Sequence, residues 1–138
     1  MYDENNLIYI LTILESIEKI KIYSKKFDDA DDFLWGNEQL NFNATVNLLI
    51  AIGEESKKID ANLKDEFDMD WKAIAGIRDK MSHDYRGIDP HIVWNVIQTK
   101  LDDLRLTMIQ MIQRIDYDKE TLTEALKTNY YSHLSYLA

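Results

Sequence analysis

This sequence predicts an all-α fold, an up-and-down bundle of four or five helices. Three observations carry that prediction. Only one proline and four glycines interrupt 138 residues, so few positions break a helix. Leu, Ile, Glu, Lys and Asp are abundant, a composition that favours helix over sheet. Apolar residues also recur at three- and four-residue steps along much of the chain, the period of a helix with one buried face. Length and an apolar content of 46% suit one domain around one core.

The first helix is expected over residues 3–26, where Leu7, Ile10, Leu14, Ile17 and Ile20 share a face. Asp3 and Glu4 at its start, with Lys25 and Lys26 at its end, complement the macrodipole. Residues 28–36, DDADDFLWG, read as a solvated acidic turn. Their four aspartates lack the glycine and final glutamate of a calcium loop. A second helix follows over residues 38–62. Its centre, residues 46–52, is apolar nearly all round apart from Asn47, which implies burial on two sides, the second against another subunit. Gly53 marks a place of close helix approach.

Asp70 is a good N-cap for a third helix over residues 71–87. Asp89 caps a fourth, with Pro90 at the first helical position. In that helix Ile97, Leu101, Leu104, Met108, Met111 and Ile115 form an apolar seam. The bundle thus occupies residues 1–115. Residues 116–138 form a C-terminal extension, helical in part over 120–128, with a Tyr-rich end that packs back or stays mobile.

Composition also sets limits. No apolar run approaches the ~18–20 residues of a transmembrane helix. Residues 1–6 are polar and acidic, unlike a secretory signal. With no cysteine there are no disulfides or thiolate metal sites, and a cytoplasmic location is expected. No cluster has metal-ligand spacing, so neither a metal nor a cofactor is expected. The net charge of −9 argues against a surface that grips polyphosphate over its whole extent.

Chemistry concentrates in residues 71–86, WKAIAGIRDKMSHDYR. On a wheel at about 100° per residue, Ala73, Ile74, Ile77 and Met81 make a core stripe. Trp71, Arg78, Ser82 and Tyr85 share a second face, and Asp79, His83 and Arg86 lie beside it. The small residues Ala75 and Gly76 allow something to approach the backbone closely. Histidine near neutral pKa can take a proton from a ribose 2′-OH or give one to a leaving oxygen. Arginine offers forked donors to phosphate oxygens as charge builds. Asp79, one turn before His83, can orient its imidazole, and Tyr85 can bond a phosphate or stack a base. Arg78 and His83 fall roughly 140° apart on an ideal helix. Two copies across a two-fold axis solve that geometry better than one.

The run WKAIAGIRDKMSHDYRGIDPHIVWNVIQTKLDDL resembles the HEPN domain of HepT-type toxins. The likeness rests on R-x4-H-x-Y as Arg78, His83 and Tyr85, on the preceding tryptophan and Ala-Gly pair, and on Ile88, Asp89, Val93 and Trp94 downstream. Upstream, LLIAIGEESKKI is similar to the family's second-helix pattern. The resemblance covers about residues 5–115. It implies an all-helical homodimer with a metal-independent endoribonuclease site at its interface, acting as the toxin of a type VII (HEPN/MNT) toxin–antitoxin system. Arg78 would stabilise phosphate, His83 would be the acid–base residue, and Asp79 and Ser82 would support them. The cognate partner would be a minimal nucleotidyltransferase antitoxin that transfers AMP onto Tyr85.

Within residues 71–86, Lys72, Arg78, Lys80 and Arg86 outweigh Asp79 and Asp84 and leave a local charge of +2. Lys72, Lys80 and Arg86 are therefore the expected RNA contacts, with modest, salt-sensitive affinity. A second reading is a non-catalytic HEPN nucleotide-binding subunit that partners the nucleotidyltransferase. A third is a generic helical dimerisation domain. His91, in the first turn of the fourth helix, is a weaker candidate, and His133 in the tail is assigned no role.

Overall fold

The computed structural model describes residues 1–81 and 87–138. The described residues form helices and short 3-10 turns. One isolated bridge pairs Tyr2 with Ile115. The helices are α1 (Asn5–Ser24), α2 (Ala30–Trp35), α3 (Leu40–Lys58), α4 (Ala61–Asp65), α5 (Trp71–Ala75), α6 (Ile77–Met81), α7 (Pro90–Thr99), α8 (Leu101–Ile112) and α9 (Lys119–Leu126).

α1 is the central element. Leu7, Ile10, Leu14, Ile17 and Ile20 are all fully buried, and so are Leu11 and Ile13 outside that stripe. A helix buried beyond one face needs neighbours on several sides, and α1 packs chiefly on α3, with α8 and α7 beside it. Each such side chain contributes about 2 kcal/mol of burial. α3 then carries α5 and α6 on its other side, so the core pair α1–α3 positions the short helices behind it. Its residues Val46, Leu48, Ile50 and Ala51 are half-buried while Leu49 and Ile52 are enclosed.

Residues 28–36 are not a solvated turn. Asp29 accepts from the Asp32 N–H at 2.8 Å and caps α2, and Phe33 from α2 is fully buried. Its ring meets Phe27 edge-on at 5.4 Å, Phe42 edge-on at 5.9 Å and Trp94 at 5.5 Å. The acidic residues stay outside while one aromatic anchors the helix. The expected second helix starts later, because Asn37, Glu38 and Gln39 all have positive φ, and it stops at Lys58 before α4 begins. The fourth helix is interrupted at Lys100, whose φ of −116° ends α7 as α8 starts.

Polar stitches close the ends. Asn6, buried at the start of α1, accepts from the Asp60 N–H at 2.8 Å and donates to the Asp3 carbonyl at 2.9 Å. Tyr2 donates its N–H to the Arg114 carbonyl and accepts from the Asp116 N–H, which ties the first residues to the end of α8. The C-terminal residues pack back on α1. Leu134 is fully buried, the Tyr131 and Thr12 hydroxyls lie 3.2 Å apart, and Glu15 accepts from the His133 N–H at 2.9 Å.

Gly53 settles how α3 meets α5 and α6. A Cβ built there would lie 2.9 Å from the Ile74 carbonyl oxygen and 3.0 Å from Ile77 Cγ2. Gly53→Ala is therefore expected to lower stability by about 1–3 kcal/mol through overpacking, despite alanine's better helix propensity. A urea midpoint equal to that of the parent chain would show that α3 and the corner separate freely.

Candidate functional site

The third helix predicted over residues 71–87 is broken at Gly76. Asp70 caps α5 by accepting from the Ala73 N–H at 3.0 Å. Gly76 then turns to φ −94°, ψ 20° and donates its N–H to the Lys72 carbonyl. Helix α6 starts afresh, with the Lys80 N–H bonded back to the Gly76 carbonyl. The Ile74 and Ala75 carbonyls lie against Gly53 of the facing helix. The close approach expected near Ala75 and Gly76 is thus supplied by α3.

The corner redistributes the wheel. Ile77 and Met81 are buried, whereas Ala73 and Ile74 are only half-buried. Trp71 leaves the face assigned to Arg78, because its indole N–H donates to the Lys64 carbonyl at 2.9 Å. It anchors the entry of α5 instead of facing a ligand. Arg78, Asp79 and Lys80 are exposed on α6, and Lys72 is exposed on α5. Ser82, His83, Tyr85 and Arg86 lie outside the described residues.

What the described residues do fix is the frame around that stretch. The Asp89 N–H donates to the Met81 carbonyl at 2.8 Å. The chain therefore enters the stretch at Met81 and leaves it at Asp89 within one hydrogen bond. Both ends are anchored: Met81 is fully buried, and Asp89 caps α7 by accepting from the His91 N–H at 2.9 Å. Trp94, one turn further on, packs on Phe33. His91 itself is exposed. Nothing in the sequence signalled this closure, which is a tertiary bond between residues eight apart.

His133, assigned nothing from sequence, has a structural partner. Its Nδ1 lies 2.6 Å from Glu15 Oε2, whose side chain is 4% exposed. Beside it Arg105 meets Glu18 at 2.6 Å and lies over the Tyr136 ring at 4.7 Å. Burial, and then the Glu18 charge, push the Tyr136 hydroxyl above its usual pKa. This cluster holds the chain end. Among the described residues, no grouping of three or more His, Cys, Asp or Glu side chains could hold a metal ion, and no helix is long and apolar enough to cross a membrane.

Comparison with known proteins decides the class. The model of the family described as "Ribonuclease HepT-like" matches residues 13–111. This chain belongs to the HepT-like ribonuclease family. A candidate RNase of Caldanaerobacter subterraneus subsp. tengcongensis is 32% identical over 107 residues, 77% of this chain and 93% of that protein. A Thermococcus cleftensis protein named "Probable ribonuclease HepT" is 31% identical over 98 residues, 70% of this chain and 86% of that one. A Methanocaldococcus jannaschii protein named as a gamma-glutamylcyclotransferase and candidate RNase is 28% identical over 113 residues. There the match takes in 81% of this chain but only half of the relative. No solved structure gives a significant match. The all-α bundle described above fits the family, and membership makes the chain a ribonuclease by class.

The frame is testable through Asp89. Removing its side chain in Asp89→Ala is expected to cost about 1 kcal/mol through loss of the cap, with a parallel drop in ribonuclease activity. Asp89→Asn keeps an accepting oxygen and is expected to stay within a few tenths of a kcal/mol. Equal melting curves for the parent and both variants would show that the Asp89 cap adds nothing to the frame.

Proposed function

We propose that this HepT-like ribonuclease is a metal-independent endoribonuclease, the toxin of a type VII (HEPN/MNT) toxin–antitoxin pair that works as a homodimer. One observation carries the reading: the family match spans the R-x4-H-x-Y segment, and Arg78 stands exposed on α6 directly before the stretch bracketed by Met81 and Asp89. In the proposed reaction a ribose 2′-oxygen attacks the adjacent phosphorus as its proton passes to the His83 of one copy. The bond to the 5′-oxygen breaks, and that oxygen takes a proton from the His83 of the other copy. Arg78 supplies forked donors to the phosphate oxygens as charge builds. Asp79 orients the imidazole of His83, and Ser82 supports the site.

Lys72, Lys80 and Arg86 hold the RNA backbone. Their local excess of positive charge sits on a chain of net charge −9, so binding is modest and falls steeply with salt. Tyr85, two residues from His83, is the acceptor for AMP transferred from ATP by the cognate nucleotidyltransferase antitoxin. The added phosphate places bulk and negative charge beside Arg78 and repels RNA.

RNA incubated with the purified chain in EDTA is expected to be cut, with activity falling at least ~100-fold in His83→Ala, the scale of one acid–base group. Equal cleavage by both proteins would remove His83 from the mechanism. Co-expression with the neighbouring nucleotidyltransferase is expected to add AMP mass to a peptide containing Tyr85. An unmodified Tyr85 beside an active transferase would reject the switch.

A further inference from the structure

A groove of about 460 Å3 opens between α3, the α5–α6 corner and the start of α8. Small-molecule sites run from ~300 to 1,000 Å3. Its floor is core: Leu49, Ile52 and Leu101 are buried almost completely. Ile74, Ile77 and Leu104 form the walls. The mouth is charged and exposed, with Lys80 and Lys100 contributing ammonium groups and Asp68, Asp70 and Asp103 contributing carboxylates.

Two features restrict what can enter. Ile77 and Lys80 are three residues apart on α6 and both line the groove. Arg78 lies between them in sequence, so the groove begins within about one 5.4 Å turn of that guanidinium's helix position. The mouth also carries both signs of charge. An anionic group is drawn to the lysines and repelled by the aspartates, and the carboxylates accept hydrogen bonds from amino groups. An apolar slot, cations for a phosphate and acceptors for an exocyclic amine together describe one occupant, a nucleotide whose base carries an amino group. A purely apolar side chain from a protein partner would leave those five charges unused.

We infer that this groove is a subsite for the base of a nucleotide flanking the cut phosphate, selecting amino-bearing bases over uracil. The inference rests on the ribonuclease reading above. The base stacks against Ile74 and Leu104 while its phosphate meets Lys80 and Lys100. It thereby fixes which phosphate lies beside Arg78.

The test uses the full chain carrying His83→Ala, with methyl groups followed by NMR as guanosine or uridine 5′-monophosphate is added. Saturable shifts at Ile74, Ile77 and Leu104 are expected, with guanosine monophosphate bound about tenfold more tightly, the scale of one charge-assisted hydrogen bond. Lys100→Glu, at an exposed position, is expected to weaken that binding about tenfold with an unchanged helical spectrum. Absence of shifts at these methyls overturns the subsite, as do equal affinities for the two nucleotides. Shifts on simple dilution also overturn it, because they would place a second copy of the chain in the groove. Cleavage by the wild type that depends on His83 while the groove stays empty overturns the subsite alone. A filled groove with no cleavage by the wild type supports the nucleotide site and overturns the cleavage reading alone.

Discussion

The contact between Gly53 and the carbonyls of Ile74 and Ala75 governs where the reactive part of the chain lies. A backbone oxygen 2.9 Å from the place of a missing Cβ leaves α3 no room for any side chain at that point. The α5–α6 corner can therefore sit directly on the helix that packs against the centre of the core. Turning at Gly76 lets α6 bury Ile77 and Met81 while Arg78, Asp79 and Lys80 stay exposed. A continuous helix over the same residues would have carried Trp71 onto the arginine's face. The corner hands Trp71 to the Lys64 carbonyl and leaves the charged face of α6 to the residues that follow.

The helical class and the main core stripe were legible in the sequence. The five apolar positions of α1 are all fully buried, because a period of three and four residues is a direct record of one buried face. The burial of Leu11 and Ile13 was not legible, since that depends on how many neighbours surround a central helix. α2 was missed for a related reason. In six residues a helix needs only one anchor, and the aspartates around Phe33 hid it. The break at Gly76 had a visible cause in glycine, but the break at Lys100 had none. Arg78, Asp79 and Lys80 were singled out in the sequence as site residues, and all three are exposed on α6. The closure by Met81 and Asp89 was illegible, because no residue type announces a backbone bond.

The end of the chain shows how a buried acidic side chain is accommodated. Glu15 sits on the most enclosed helix, where an uncompensated carboxylate would cost several kcal/mol. It accepts from the His133 backbone N–H and lies 2.6 Å from the ring Nδ1 of that residue, with Lys19 Nζ 3.9 Å away. Lys19 belongs to α1 itself, but His133 comes from a segment beyond the family match at residues 13–111. The polar residue inside the core and the tail outside the family match are therefore dependent on each other.

The hydrogen bond from Asp89 to Met81 has a consequence for how this chain can vary. Closing a loop costs entropy that grows only slowly with its length. Here the closure is made by main-chain atoms of two anchored residues, one buried in the core and one capping α7. The residues between them form a cassette with fixed terminals. The registration of α6 against α7 therefore rests on main-chain atoms, whichever side chains the intervening residues carry.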